Sequence, residues 1–160
     1  ITASRGQYVM FMDSGLCVPM EYALDGLELL KNGECDIAHG SRHLPDSVVS
    51  PPRPLLRQVL SFIFRRLMYP LLGMPSYVKD SQCGFKIYPG DLGRRLYAGC
   101  KTDGAVFDAE VIMRAHRRGL RIKEFPVEWT GDPDTRLQLG RELFRAPVEL
   151  LEAYKAARPD

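Results

Sequence analysis

The feature that most constrains the fold is an apolar run that ends in an aspartate. Residues Tyr8–Met12 read as a compact strand, and Asp13 follows at once. Pro19 to Lys31 has helical spacing of its apolar residues, and Asn32-Gly33 is a typical stop signal. Cys35 to His39 reads as a second short strand. A strand, a helix and a strand this close together favour a parallel pair with a right-handed crossover. The sequence therefore predicts an α/β fold with a mixed, mostly parallel sheet flanked by helices.

Polar residues follow both of these strands. Asp13 comes after the first strand, and Gly40-Ser41-Arg42 comes after the second. Parallel strands end at the same edge of a sheet, and open α/β sheets bind ligands at that edge. We therefore expect Asp13 and Arg42 to lie side by side in a ligand site. The alternative is that Asp13 only caps the following helix and that Arg42 is solvated, and the spacing leaves both interpretations open.

Composition and cysteine spacing set further bounds. A chain of 160 residues that is 45% hydrophobic and 26% charged is expected to form one globular domain, residues 1–160. No apolar run is long enough to span a bilayer, and no signal peptide is recognisable. The cysteines have neither CxxC nor zinc-site spacing and are expected to be free thiols: Cys17, Cys35, Cys83 and Cys100. The chain begins without a methionine almost directly at a core strand, which predicts that an N-terminal part precedes it.

The segment after these strands is basic and apolar. No acidic residue occurs from Val48 to Lys79, and a helix is expected from Leu55 to about Leu72. An apolar helix with arginines and no carboxylates suits a membrane surface or an anionic, apolar ligand. The alternative is a buried core helix with a few exposed arginines. Nucleic acid is not an expected partner, because basic and aromatic residues are not interleaved and no binding motif is present.

Two further segments place acidic residues at the ends of predicted elements. Asp80 and Gln82 precede a glycine and a short apolar strand, so both lie at a strand entrance. Asp108 and Glu110 lie in the first turn of a helix whose inner face carries Val111, among other apolar residues. Carboxylates in a first helical turn are stabilised by the helix dipole, but they can also act as a general base in a cleft. Spacing alone does not separate these two roles.

Read in order, these segments resemble the family 2 glycosyltransferases of GT-A fold, in the branch that includes dolichyl-phosphate mannosyl- and glucosyltransferases. The matching pieces extend from Gly6 to about Leu139: YVMFMDSG, DIAHGSR, RPLLRQVLS, DSQCGFKIY, FDAEVIMRAHRRGLRIKEFPVEW and DPDTRL. Each piece is short, but six of them occur in the family's order. Members of the family carry a further N-terminal region that binds the nucleotide base, and this region is absent from the chain.

The resemblance implies a role for each candidate residue. Asp13 would contact a divalent metal, Mg²⁺ or Mn²⁺, and the sugar-nucleotide diphosphate, with Ser14 beside it. Gly15 stands where the family has a second acid, and glycine offers no side-chain oxygen to a hard cation. The other implied residues are Arg136 at the donor pyrophosphate; Arg42, Arg57 and Ser61 at the acceptor phosphate; and Asp80, Gln82, Asp108 and Glu110 as pocket and catalytic candidates.

The implied reaction is an inverting transfer of a hexose, mannose or glucose, from GDP-mannose or UDP-glucose to a polyprenyl phosphate. Two alternatives remain open: a degenerate relative with weak or no activity, and a family 2 enzyme with a soluble sugar or small-molecule acceptor. An amphipathic helical tail is expected over residues 140–160, with peripheral attachment to the cytoplasmic face of a membrane. Because of Gly15, the implied metal site has one carboxylate ligand instead of two.

Overall fold

A computed structural model describes residues 1–52, 55–102, 107–131, 148–149 and 151–157, with the side chains of part of the second helix excepted. Its elements, in chain order, are β1 (Tyr8–Met12), α1 (Tyr22–Lys31), β2 (Ile37–Ser41), β3 (Val48–Ser50), α2 (Leu55–Leu71), β4 (Phe85–Pro89), α3 (Gly90–Ala98), α4 (Phe107–Arg117), β5 (Ile122–Pro126) and β6 (Glu128–Thr130).

The main sheet is mixed, and its strand order is β1-β4-β2-β5. β4 pairs antiparallel with both β1 and β2, whereas β2 and β5 are parallel. The expectation that β1 and β2 form an adjacent pair is therefore wrong, although both strands run in the same direction. The residues Phe85 to Tyr88 of β4 are fully buried, and such a strand belongs in the middle of a sheet rather than at its edge. The carboxyl ends of β1 and β2 still lie at one edge, where β4 begins.

A second, smaller sheet lies beside this edge. It consists of β3 and β6, which are parallel, with Val49 opposite Trp129. The backbone N–H of Val48 donates to the carbonyl of Val127, just after β5. The small sheet is therefore attached to the main sheet through the segment that joins β5 to β6, and it brings Trp129 close to the end of β2.

The helix boundaries follow from local sequence. α1 begins at Tyr22 rather than at the expected Pro19, and it ends as predicted at Asn32-Gly33, where Gly33 has a φ of 68°. Such a left-handed backbone strongly favours glycine. α2 ends at Leu71, one residue before the expected end. β2 begins two residues later than expected and extends to Ser41, so Arg42 follows the strand directly.

Two hydrophobic clusters cover the two faces of the main sheet. One face carries Val9, Tyr88, Leu96 and the buried residues of α4, and Ala153 and Ala157 near the end of the chain complete it. The other face packs against α1 through a cluster that includes Phe85 and Phe125. Residues 151–156 are helical, in agreement with part of the predicted tail. Within the described residues, no helix combines the length and the apolar character needed to cross a bilayer.

Candidate active site

Three segments of the chain meet at the edge of the main sheet where β1 and β2 end. Asp13 follows β1, Arg42 follows β2, and the loop of residues 80–84 leads into β4. The first turn of α4 supplies Asp108 on the same side, because its carboxylate contacts Lys86 of β4. The structure thus brings together Asp13, Arg42, Asp80 and Asp108, as the sequence predicted for the first two.

Asp13 is held against the loop before β4. Its backbone N–H donates to the carbonyl of Gly84 at 2.9 Å. A Cβ atom added to Gly84 would lie only 2.0 to 2.1 Å from the carboxylate of Asp13, so a side chain here would force that carboxylate out of its position. Asp13, Ser14 and Gly15 are exposed, and α1 begins well after them. Asp13 therefore does not cap α1, which removes that alternative, and its carboxylate faces the outside of the edge.

Arg42 and Asp80 form a two-pronged ion pair. Arg42 Nε donates to Asp80 Oδ2 and Nη2 donates to Oδ1, both at 2.7 Å, and the backbone N–H of Arg42 adds a third bond at 2.9 Å. Burial opposes ionisation of the carboxyl, but the bonds from Arg42 hold the pKa of Asp80 below its ordinary value. The Arg42 guanidinium also lies 5.5 Å from the centre of the Trp129 ring. Arg42 is therefore a fixed part of the site and not a solvated side chain.

Glu124 of β5 holds the backbone on the other side of Asp80. Its two carboxylate oxygens accept hydrogen bonds from the backbone N–H groups of Lys79 and Asp80, at 2.9 and 2.8 Å. Burial raises the pKa of Glu124, and these two bonds oppose the rise. The loop that carries Asp80 is thus anchored at both its side chain and its backbone. Gln82, two residues further, is exposed.

A second ion pair joins Lys86 of β4 to Asp108 of α4. Lys86 of β4 is completely buried, and its Nζ donates to Asp108 Oδ1 at 2.5 Å and to the carbonyl of Cys83 at 2.8 Å. The ammonium group also lies 5.6 Å from the centre of the Phe11 ring. Burial raises the pKa of Asp108, and Lys86 opposes this rise, while Asp13 and Asp80 add to it. The carboxylates of Asp13 and Asp80 are therefore near enough to Asp108 to oppose its ionisation.

His39 of β2 is a buried neighbour of Lys86 in the main sheet. It is opposite Lys86 in the register of β2 and β4, and its side chain is completely buried. Burial, reinforced by Lys86, lowers the pKa of His39 well below its usual value. His39 is therefore neutral at physiological pH and contributes no charge to the site.

Glu110 has different surroundings from Asp108, although both belong to the first turn of α4. Its carboxylate accepts hydrogen bonds from the backbone N–H groups of Lys101 at 3.0 Å and Thr102 at 2.8 Å. Arg114, one turn later, donates to it at 2.7 Å. Burial opposes ionisation, but these bonds lower the pKa of Glu110 below its ordinary value. The contacts tie the end of the α3–α4 connection to α4, which is a structural role.

α2 is connected to the site by two hydrogen bonds between side chains. Arg65 Nη1 lies 2.6 Å from His43 Nε2, next to Arg42 in the chain. The hydroxyl groups of Tyr69 and Ser81 are 2.6 Å apart, which links α2 to the loop that carries Asp80. The side chains of Arg57 and Ser61, and the whole of Arg136, lie outside the described residues.

Several of these residues were not predicted from the sequence: Gly84, Lys86, His43, Arg65, Glu124 and Trp129. Only Lys86 left a recognisable signal, because a lysine inside the apolar run Phe85–Tyr88 must find a partner when the strand is buried. The remaining residues act through contacts between distant parts of the chain.

The charges define what the site can bind. Asp80 contacts the partly buried Arg42 and Asp108 contacts the buried Lys86, whereas Asp13 has no ion-pair partner among the described residues. No group of three histidine, cysteine or acidic residues in the described part of the chain could hold a metal ion by itself. Asp13 can supply one carboxylate ligand, which fits a cation whose other ligands are water and substrate phosphate, as is common for Mg²⁺.

Comparisons with known proteins identify relatives of the chain. No family model matches the chain. Glycosyltransferase AglD of Haloferax volcanii is 32% identical over 152 residues, which are 95% of this chain and 24% of that protein. The dolichyl-phosphate beta-glucosyltransferase of Saccharomyces cerevisiae is 25% identical over 158 residues, covering 92% of this chain and 47% of the relative. The chain therefore spans between about a quarter and a half of these relatives.

A solved structure supports the fold. Glucosyl-3-phosphoglycerate synthase from Mycobacterium tuberculosis, in complex with UDP, matches with a TM-score of 0.62 and 20% identity, over 99% of this chain and 52% of that one. This likeness shows a GT-A fold. Together with the sequence relatives, it confirms the predicted resemblance to glycosyltransferases of GT-A fold: the chain is homologous to named glycosyltransferases, and its fold is of the GT-A type.

Proposed function

We propose that the complete protein transfers a hexose from a nucleotide sugar to the phosphate of a polyprenyl lipid, with inversion at the anomeric carbon. The observation that carries this proposal is the alignment of 92% of the chain with a dolichyl-phosphate beta-glucosyltransferase. Further relatives with the same name, from Dictyostelium discoideum among others, favour glucose over mannose. UDP in the related solved structure favours UDP-glucose as the donor over GDP-mannose.

The donor diphosphate is proposed to lie at Asp13. This exposed carboxylate forms no ion pair with a described residue, so it would attract a divalent cation rather than bare diphosphate. When bound, Mg²⁺ or Mn²⁺ supplies the positive charge that stabilises the departing nucleotide diphosphate. Asp13 would provide one ligand, and Gly15 none, so most ligands would come from the diphosphate and from water.

The acceptor phosphate is proposed to approach from the side of α2. One of its oxygens attacks the anomeric carbon of the sugar, the bond between that carbon and the diphosphate oxygen breaks, and the nucleotide diphosphate leaves with the electron pair. Because a phosphate monoester is ionised at neutral pH, the attack requires no proton transfer. We therefore assign a structural role to Asp80 and Asp108. Asp80 holds Arg42 in place, and Asp108 neutralises Lys86.

A membrane surface is the proposed location of this reaction, because the acceptor is a lipid. The outer face of α2 exposes four large apolar side chains: Leu55, Val59, Phe62 and Ile63. Their spacing of four, three and one residues places them on one side of the helix. The absence of acidic residues from Val48 to Lys79 favours anionic headgroups near this face. The exposure of these residues argues against the alternative of a wholly buried core helix.

A catalytically weak relative is the second candidate function, and Gly15 is the observation that favours it. The test uses the complete protein with radiolabelled UDP-glucose or GDP-mannose, Mn²⁺, and a polyprenyl phosphate in anionic vesicles. We expect labelled lipid from UDP-glucose and much less from GDP-mannose. Transfer only to water-soluble acceptors would refute the lipid-phosphate assignment. Absence of transfer, together with intact UDP binding, would support the weak relative.

A further inference from the structure

The contact between Arg65 and His43 joins two segments that are far apart in the sequence. Arg65 Nη1 lies 2.6 Å from His43 Nε2, and both side chains are partly buried. A guanidinium group can only donate hydrogen bonds, so Nε2 of His43 must be the acceptor. Nε2 therefore carries no proton in this contact. This bond directs the Arg65 side chain from α2 towards the end of β2, where Arg42 and Asp80 lie.

The position of Arg65 on α2 relates it to the residues that the resemblance places at the acceptor phosphate. Residues 57, 61 and 65 are each separated by four positions, so they follow one another along one side of the helix. Tyr69, the next residue in this series, bonds to Ser81. Arg65 and Tyr69 therefore lie on the side of α2 that is connected to the site, whereas the neighbouring Arg66 is exposed.

The charge of Arg65 is not matched by a carboxylate in the described part of the chain. Its partner, Nε2 of His43, carries no negative charge, and the carboxylate of Asp80 is already held by two bonds from the Arg42 side chain. His43 occupies one of the five N–H groups of the guanidinium, and the others can bind an anion with tetrahedral oxygens. A partly buried arginine that is held in place and has no carboxylate partner among the described residues is suited to a phosphate.

We propose that Arg65 is a further ligand of the acceptor phosphate and that His43 positions it. The inference rests on the proposed function, because it assumes a phosphate acceptor that approaches along α2. It adds one residue to the two on this helix, Arg57 and Ser61, that the family resemblance implies. It also gives His43 a defined task, which is to accept one hydrogen bond and keep the guanidinium turned towards the site.

The test compares two adjacent arginines in the complete protein. Arg65→Ala is expected to raise the KM for polyprenyl phosphate by about ten-fold or more, the scale of a lost bond between charged groups. The KM for UDP-glucose should change by less than about two-fold, since the donor binds elsewhere. Both KM values are measured with a detergent-solubilised acceptor, so that binding to a membrane does not affect them. Under this condition Arg66→Ala, which removes the same charge from the exposed, membrane-facing side of α2, should leave both KM values unchanged. Thermal unfolding of both variants checks that the fold is intact.

His43 is tested by a pair of substitutions. His43→Gln keeps an acceptor oxygen for Arg65 and is expected to retain most of the affinity for polyprenyl phosphate. His43→Ala removes the acceptor and should raise this KM in the same direction as Arg65→Ala. A purely structural role of His43 would lower the stability of the Ala variant without a specific change in the KM for the lipid.

Arg57→Ala distinguishes a failure of the proposed role of Arg65 from a failure of the proposed lipid-phosphate acceptor. If Arg57→Ala raises the KM for the lipid and Arg65→Ala behaves like Arg66→Ala, the role of Arg65 is refuted while the acceptor class stands. If neither Arg57→Ala nor Arg65→Ala affects transfer to polyprenyl phosphate, the proposed acceptor itself is wrong. Equal effects of Arg65→Ala and Arg66→Ala would show that only the total charge of α2 matters, and would also overturn the inference.

Discussion

Lys86 Nζ lies 2.5 Å from Asp108 Oδ1, and both residues are buried. If either charge is removed alone, the other is left buried without its counterion. Lys86→Met, which keeps the length but removes the charge, is therefore expected to destabilise the fold by about 3–5 kcal/mol at neutral pH. The measurement is chemical unfolding of the complete protein.

The pH dependence of this variant identifies the cause. Burial raises the pKa of Asp108, and loss of Lys86 would raise it further. A carboxyl with a raised pKa in the folded state binds more protons folded than unfolded, so its contribution to stability falls as pH rises from the unfolded to the folded pKa. Lys86→Met should therefore approach the stability of the wild type as the pH is lowered. Adding Asp108→Asn should abolish this pH dependence, and a pH-independent loss in Lys86→Met would contradict the explanation.

Gly84 and Asp13 offer a second test of the site geometry. A Cβ on residue 84 would lie about 2 Å from the Asp13 carboxylate, too close for both to stay in place. Gly84→Ala is expected to cost about 1–3 kcal/mol of stability, as overpacking commonly does, and to weaken Mn²⁺-dependent donor binding. In the double variant Asp13→Ala with Gly84→Ala, the clash is removed and most of the stability should return. Unchanged stability of Gly84→Ala would refute the close approach.

Much of the fold follows from local patterns, but the strand order does not. The boundaries of β1 and α2 and the stop at Gly33 were predicted, because each depends on neighbouring residues. The insertion of β4 between β1 and β2 depends on pairing between segments separated by dozens of residues, which periodicity does not encode. The same distinction applies to Asp108 and Glu110. Both occupy a first helical turn, yet one meets a buried lysine and the other meets backbone N–H groups.

Gly15 leads to a prediction about the metal. It is exposed and is not among the described residues with positive φ, so a side chain can be added without backbone strain. Gly15→Asp would place a second carboxylate two residues from Asp13, and we expect tighter Mn²⁺-dependent binding of the donor. Stability should change by no more than about 0.5 kcal/mol, as for other surface substitutions.

Titration calorimetry with the donor, with and without Mn²⁺, measures this effect. Asp13→Ala serves as the opposite control and should abolish the dependence on the metal. If both variants show the metal dependence of the wild type, Asp13 has no role as a metal ligand, and the assignment of the donor site to this turn fails.

The apolar face of α2 is tested with a charge on Phe62, which is 61% exposed. Phe62→Asp removes a large apolar group and adds a negative charge that anionic lipids repel. Loss of a phenylalanine that inserts into lipid corresponds to about 1.5–3 kcal/mol, or roughly ten-fold or more in the partition coefficient. We therefore expect the complete protein to sediment much less with anionic vesicles, while transfer to a detergent-solubilised acceptor is retained.

Leu24→Asp is the matched control, because Leu24 lies on α1 and is 69% exposed. It introduces the same charge at an equally exposed apolar position on a different helix. Under the proposed orientation it should not affect vesicle binding beyond the small effect of one added charge on an otherwise distant surface. Equal losses for Phe62→Asp and Leu24→Asp would mean that net charge, rather than insertion of α2, governs binding. Full vesicle binding by Phe62→Asp would show that α2 does not face the membrane, and the lipid acceptor would then have to reach Arg42 and Asp80 from another side.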